Sequence, residues 1–210
     1  MTIEAVIFDF GGVFTASPFT GIHAWHEEKG LDPALGVRVV FGPYDQDTDH
    51  PWHQLERGEL ALQAAAEQIK AVAAEEGLDI ELSEMFGSMG GSSVRTDMVD
   101  LAISLRQQGY RTALITNNIK EFADGWRAMI PVDEMFEVIV DSSAVGMRKP
   151  DPRIYEMTLE QLGVAAERSV FLDDAPGNIA AARALGMAAI LVEDDHTGAM
   201  TELDRLLSES

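Results

Sequence analysis

Four short polar clusters carry the chemistry available to this chain. Three of them follow apolar runs: Ile7-Phe8-Asp9-Phe10-Gly11-Gly12, Leu114-Ile115-Thr116-Asn117-Asn118 and Phe171-Leu172-Asp173-Asp174-Ala175-Pro176-Gly177-Asn178. The fourth is Gly146-Met147-Arg148-Lys149-Pro150-Asp151-Pro152. If the runs are strands of one sheet, Asp9, Asp173 and Asp174 converge on one crevice, because open α/β sheets bind ligands beyond the carboxyl ends of their strands. Two carboxylates about 5 Å apart repel by roughly 3 kcal/mol at an effective dielectric near 20. Lys149 alone does not offset three of them. A divalent cation would, and hard oxygen ligands with no His or Cys beside them point to Mg2+, which also takes phosphate oxygens as partners. Taken singly, each residue also has a plainer reading. An Asp after a strand caps a helix or starts a turn, Thr116 and Asn118 have N-cap chemistry, and Lys149 precedes a helix start defined by proline.

The composition narrows the partners. The chain holds 36 Asp and Glu against 15 Lys and Arg in 210 residues, a formal net charge of −21. A field of that sign repels phosphate backbones and anionic lipid, so neither nucleic acid nor a membrane surface is an expected partner, and any anionic ligand needs a local positive site. Cysteine is absent, which excludes thiol nucleophiles, Cys-based metal sites and disulfides; the nucleophile must be oxygen or nitrogen. Met1-Thr2-Ile3-Glu4 leads into an apolar run broken at Asp9, without the basic start or the length of a signal peptide. The longest apolar stretch, 180–192, is interrupted by Arg183 and falls short of a bilayer span. A soluble, cytoplasmic protein is expected.

The elements that must position the clusters are visible as periodicities. Five runs, 5–8, 112–115, 136–140, 169–172 and 188–192, have the composition of strands buried on both faces of a parallel sheet. From the second onward they alternate with helical patterns. Segment 98–108 places Val99, Ala102 and Ile103 on one period before Gly109, segment 152–162 opens on proline and stops at Gly163, and the alanine-rich 178–185 stops at Gly186. This is the rhythm of a Rossmann-like, doubly wound α/β fold with a sheet of about five strands. The first two strands are separated by about a hundred residues, largely helical in pattern, as in 60–76 with Leu62, Ala65, Ala66, Ile69, Val72 and Ala73. That insert closes on Gly87-Ser88-Met89-Gly90-Gly91-Ser92-Ser93, a composition suited to a hinge. The expected organisation is an α/β core, 1–15 and 92–210, carrying a helical cap over 16–91.

The four clusters, in this order, resemble the haloacid dehalogenase superfamily over the whole chain. Gly-Met-Arg-Lys-Pro and Phe-Leu-Asp-Asp are most similar to the group containing the N-terminal phosphatase domain of soluble epoxide hydrolase and bacterial sugar-phosphate phosphatases. The resemblance implies a Mg2+-dependent phosphatase acting on a small phosphorylated metabolite. It implies Asp9 as the nucleophile that forms an aspartyl phosphate. Thr116 and Asn117 would bind the transferring phosphoryl, with Lys149 supplying positive charge. The metal would be held by Asp9, the backbone carbonyl of Gly11 and Asp174, with Asp173 and Asn178 supporting them from behind.

Position 11 departs from the family's usual Asp-x-Asp. Glycine keeps the carbonyl but lacks the carboxylate that relatives use as general acid and base, a contribution typically worth 10²–10⁴-fold. Acyl, aryl or anomeric phosphates, whose leaving groups need no proton, suffer least. Two other functions stay open: a metal-free 2-haloacid dehalogenase, against which the paired Asp173 and Asp174 argue, and a non-catalytic relative that binds a phosphorylated ligand or a protein. In the cap, His23 and His26 are three apart, as are His50 and His53. No third ligand suggests zinc, so they read as surface residues or as a substitute acid. Trp25, Trp52 and Phe19 read as cap core ahead of a substrate wall. Arg57, in Glu56-Arg57-Gly58-Glu59, reads as a solvated charge or a substrate contact.

Overall fold

The computed structural model describes residues 2–88 and 93–209, apart from the side chains of Pro18, Phe19 and Ser88. The roles expected for Phe19, for the hinge residues 89–92 and for the cap boundary at residue 91 lie outside the described residues. Five strands, β1 (Ala5–Phe8), β2 (Arg111–Thr116), β3 (Val138–Asp141), β4 (Ser169–Asp173) and β5 (Ala188–Leu191), form one parallel sheet in the order β3-β2-β1-β4-β5. Between β1 and β2 run α1 (Pro18–Glu28), α2 (Pro33–Phe41), α3 (Pro51–Glu56), α4 (Leu62–Glu75), α5 (Leu82–Ser88) and α6 (Thr96–Gln107). The remaining helices are α7 (Ala123–Arg127), α8 (Val132–Met135), α9 (Ser142–Val145), α10 (Pro152–Leu162), α11 (Pro176–Ala184) and α12 (Thr197–Ser208). Among the described residues no helix is long and apolar enough to cross a membrane.

The two-residue period of the strands sorts their side chains onto two faces. Val6, Phe8, Leu114, Val170 and Leu172 pack against Met98, Ala102 and Leu105 of α6 and Leu203 of α12. Ala5, Ile7, Ala113, Ile115 and Phe171 pack against Ile154, Tyr155 and Leu159 of α10 and Ile179 of α11. Burial on both faces explains why these strands are continuously apolar in the sequence. The third strand begins at Val138 rather than 136 because Phe136 ends α8 and turns its ring into the core, 6.1 Å from Phe8 and 5.8 Å from Phe14.

Helices α1 to α5 bury a separate apolar cluster that includes Ile22, Trp25, Phe41, Trp52, Leu55 and Ile69. The chain leaves for these helices and returns from them side by side, at an antiparallel bridge between Thr15 and Val94. Two glycines let this layer rest on the core. A Cβ at Gly58 would lie 2.5 Å from the Ser143 carbonyl oxygen, and one at Gly177 would lie 2.8 Å from Asp45 Cα.

Two of the cap histidines are structural. The Nδ1–H of His26 donates to the Ile22 carbonyl at 2.8 Å, and its ring lies where a Cβ on Gly36 would approach to 2.0 Å. His53 is fully buried, and its Nδ1 accepts from the Thr48 amide at 3.0 Å. Burial, with the Arg148 charge nearby, lowers its pKa to about 3. Asp47 stands 4.0 Å from that nitrogen but is engaged by Arg57, so it does not recruit a proton there. Folded His53 therefore stays neutral while the unfolded side chain titrates near 6.5. Between those values the unfolded chain binds more protons, so stability is present above pH 6.5 and falls as the pH drops. His53→Gln, which keeps an acceptor for Thr48, is expected to lose of order 1 kcal/mol less than wild type between pH 7 and pH 5 in urea unfolding. Equal losses would mean that His53 titrates normally.

Candidate active site

The register of the sheet builds the site. Phe8 pairs with both Leu114 and Leu172, so the residue after β1 stands between the ends of β2 and β4. That residue is Asp9, whose amide donates to the Leu172 carbonyl at 2.8 Å. Lys149, from the loop before α10, is fully buried, and its Nζ donates to Asp9 Oδ1 at 2.8 Å and to Asp173 Oδ2 at 2.6 Å. The Asn117 side chain clamps that loop, donating to the Lys149 carbonyl at 2.9 Å and accepting from the Lys149 amide at 2.8 Å. Lys149 is therefore not an exposed lysine that merely precedes a helix start: the β2 end and the two carboxylates hold it inside.

Asp173 and Asp174 are adjacent in sequence but differently engaged. Asp173 Oδ1 accepts from the Ala175 amide at 2.8 Å, and Asn178 Nδ2 lies 3.0 Å from both of its oxygens. With Lys149 added, Asp173 is spent on orienting its neighbours. Asp174 instead lines the cavity, and its Oδ2 accepts from Ser17 Oγ at 2.6 Å. Ser17 occupies the N-cap position of α1 but makes no side-chain cap bond to the helix. Asp174 also packs on the backbone of Gly12, which has φ +73° and where a Cβ would fall 2.2 Å from Asp174 Cγ. Only glycine satisfies both the left-handed turn and that approach.

Oxygens of Asp9, Asp173 and Asp174 lie within 4.8 Å of one another. Three carboxylates around one ammonium leave two negative charges in excess. Burial pushes the Asp9 carboxyl well above its ordinary range, opposed by Lys149 and reinforced by Asp173 and Asp174. Burial, with Asp173 beside it, likewise pushes Asp174 up to about 6. Burial alone would strip Lys149 of its proton, but Asp173 and Asp9 outweigh it and hold its pKa above the usual lysine value. Surplus negative charge on hard oxygen donors fits a divalent cation such as Mg2+.

A small cavity is lined by Asp9, Gly11, Tyr44, Thr116, Asn117, Lys149, Asp174 and Asn178. It gathers the residues expected from the sequence, with Asp173 behind them, and adds Tyr44. Tyr44 lies between α2 and α3, and Gly42-Pro43 announced only a turn there. A second, larger pocket shares Tyr44 and Asn117 with the first and is walled by Ile22, Phe41, Trp52, Phe86, Ile119 and Phe122, with Glu56 beside Tyr44. Trp52 thus belongs both to the cap core and to this wall. Arg148, fully buried, crosses from the core into the cap, where its Nε donates to Glu56 Oε2 at 2.6 Å and its Nη1 to the Gln46 carbonyl at 2.9 Å. Tyr44 Oη donates to Glu56 Oε1 at 3.2 Å, and the Arg148 guanidinium sits 5.3 Å from the Tyr44 ring centroid. Arg57 is held by Asp47, Glu59 and the Thr48 carbonyl and lines neither pocket. None of the cap histidines lines the cavity around Asp9; His23 lines another groove, which shares Asp174 with that cavity.

The chain is 30% identical to a sesquiterpene phosphatase of Aspergillus oryzae over 92% of its own length and 91% of the relative's. It is 29% identical to rat bifunctional epoxide hydrolase 2 over 98% of its length, but spans only 39% of that protein. Its fold matches that of an enzyme of the haloacid dehalogenase family from Bacteroides thetaiotaomicron, in complex with magnesium and inorganic phosphate, with a TM-score of 0.62 at 19% identity, covering 92% of this chain and 96% of that one. Residues 3–186 match the sequence profile of haloacid dehalogenase-like hydrolases, and this chain belongs to that family of hydrolases.

Proposed function

We propose that this hydrolase is a Mg2+-dependent phosphatase that releases phosphate from a small phosphorylated metabolite in the cytoplasm through an aspartyl-phosphate intermediate. The observation that carries the reading is Lys149 buried between Asp9 and Asp173, with Asp174 completing a carboxylate cluster at the floor of a cavity. Asp9 attacks phosphorus and the ester oxygen departs; water then attacks the same phosphorus and restores the carboxylate. Thr116 and the backbone beside Asn117 receive the phosphoryl oxygens, and Lys149 neutralises charge on them and on Asp9. Asp9, the Gly11 carbonyl and Asp174 would hold the cation, which supplies further positive charge to the phosphoryl group. Asp173 and Asn178 keep Lys149 and the strand end in place. The division into a core of 1–15 and 92–210 and a cap of 16–91 is supported by the separate apolar cluster of α1 to α5.

The organic part of the substrate belongs in the second pocket, whose walls are aromatic and aliphatic. That pocket, and a relative named for a sesquiterpene phosphate, support an apolar leaving group. Gly11 supports the further reading that esters with good leaving groups turn over best, because no carboxylate stands at that position to protonate a poor one.

Phosphate release from p-nitrophenyl phosphate and from an alkyl phosphate is expected to require Mg2+ and to vanish in Asp9→Asn. Metal-free halide release from chloroacetate would instead select the dehalogenase reading. Gly11→Asp is expected to narrow the gap between the two esters, by up to the roughly 10²-fold scale of a general acid; an unchanged gap refutes the leaving-group reading. Lys149→Met, which buries carboxylates without their ammonium, is expected to lose about 3–5 kcal/mol of stability, part of which millimolar Mg2+ restores in a thermal-shift measurement. No effect of Mg2+ on that variant would count against the metal site.

A further inference from the structure

We propose, building on the phosphatase reading, that Tyr44 is the catalytic residue that gives the leaving group its proton, in place of a carboxylate at position 11. Three observations carry this. Tyr44 is the cap's contribution to the cavity that contains Asp9 and Gly11, and it also walls the adjoining apolar pocket. With phosphorus in the first space and the organic group in the second, the bridging oxygen lies at their junction, where Tyr44 and Asn117 line both. Its hydroxyl is also held in place: Tyr44 Oη donates to Glu56 Oε1 at 3.2 Å, and Glu56 is fixed by Arg148 at 2.6 Å. Finally, the loop carrying Tyr44 rests on Gly177 at the start of α11, where the Tyr44 carbonyl oxygen would lie 3.6 Å from an added Cβ.

The other candidates are committed elsewhere. Glu56 is an ion-paired carboxylate, which accepts hydrogen bonds and has no proton to give. Ser17 does not line the cavity around Asp9, and Thr116 sits at the β2 end on the phosphoryl side. His50 lies 3.2 Å from the Val39 carbonyl and accepts from the Trp52 amide. Burial holds the Tyr44 phenol well above its usual pKa, so it stays protonated between turnovers.

In the first step the Asp9–phosphorus bond forms and the ester P–O bond breaks. The departing oxygen takes the phenolic proton and leaves as a neutral alcohol, and the Arg148 guanidinium, 5.3 Å from the ring centroid and shared with Glu56, offsets part of the charge on the resulting phenolate. In the second step water attacks phosphorus, the bonding pair returns to the Asp9 carboxylate, and a water proton returns to Tyr44. Burial and Glu56 hold the phenol's pKa above its ordinary value, so the proton passes only as negative charge develops on the departing oxygen. A phenol is a weaker acid than a carboxylic acid, so a preference for good leaving groups persists.

The test is turnover of p-nitrophenyl phosphate and an alkyl phosphate by wild type, Tyr44→Phe and Tyr44→Phe/Gly11→Asp. Tyr44→Phe is expected to lower alkyl kcat/KM by roughly 10²-fold while changing the nitrophenyl value only a few-fold, and the added Asp to recover the alkyl activity. Tyr44→Gln keeps a hydrogen-bond donor without acidity, and serves if the Phe variant does not fold; it should show the same selective loss. Equal losses on both esters overturn the role of Tyr44 and leave the phosphatase reading intact. Absence of Asp9-dependent phosphate release from wild type overturns both.

Discussion

One buried ammonium group organises this molecule. Lys149 reaches Asp9 at the end of β1 and Asp173 at the end of β4, and its own backbone is clamped by Asn117 at the end of β2. A lysine taken wholly out of water is tolerable only where opposite charges surround it, and these carboxylates are tolerable only with the lysine present. The three strand ends, the loop before α10 and the start of α11 must therefore close on the same point. The parallel register that aligns Phe8 with Leu114 and Leu172 meets that requirement.

The balance is deliberately incomplete in electrostatic terms. Asp174 is the carboxylate that Lys149 does not contact, and it is drawn towards β1 by the bare backbone of Gly12 and the hydroxyl of Ser17. The surplus negative charge left at the cavity is what a cation would relieve. A net charge of −21 gives an anionic substrate no long-range attraction. Its binding has to come from groups a few ångströms away.

A second buried charge ties the cap to this centre. Arg148 is the chain neighbour of Lys149, yet its guanidinium lies in the cap with Glu56 and over Tyr44. Two consecutive residues of one loop thus fix the core carboxylates and the cap's polar corner. The glycines at 58 and 177 remove the side chains that would hold the layers apart. Apolar pocket and phosphoryl cavity meet at Tyr44 because this corner is fixed.

Much of this was legible in the chain itself. Runs of apolar residues with polar ends located β1, β2, β4 and β5 to within one residue, because strands buried on both faces admit few polar side chains. The same ends named Asp9, Thr116, Asn117, Lys149, Asp173, Asp174 and Asn178, since chemistry placed at a sheet's carboxyl edge must follow the strands directly. The shift of β3 to Val138 was not legible, because Phe136 is as apolar in a helix end as in a strand. Helix α12 also escaped notice, its buried Ala199 and Leu203 being interleaved with Glu202, Asp204 and Arg205. Nothing local singled out Tyr44 beyond the turn at Gly42-Pro43, and Glu56 stood out only as part of Glu56-Arg57-Gly58-Glu59. Their role follows from contacts with Arg148 across about a hundred residues of chain, and contacts at that separation are set by how two layers pack. Periodicity and motif order determined the fold class and which polar residues gather at the strand ends. Only the tertiary structure decided which side chain of the cap meets the reacting atoms.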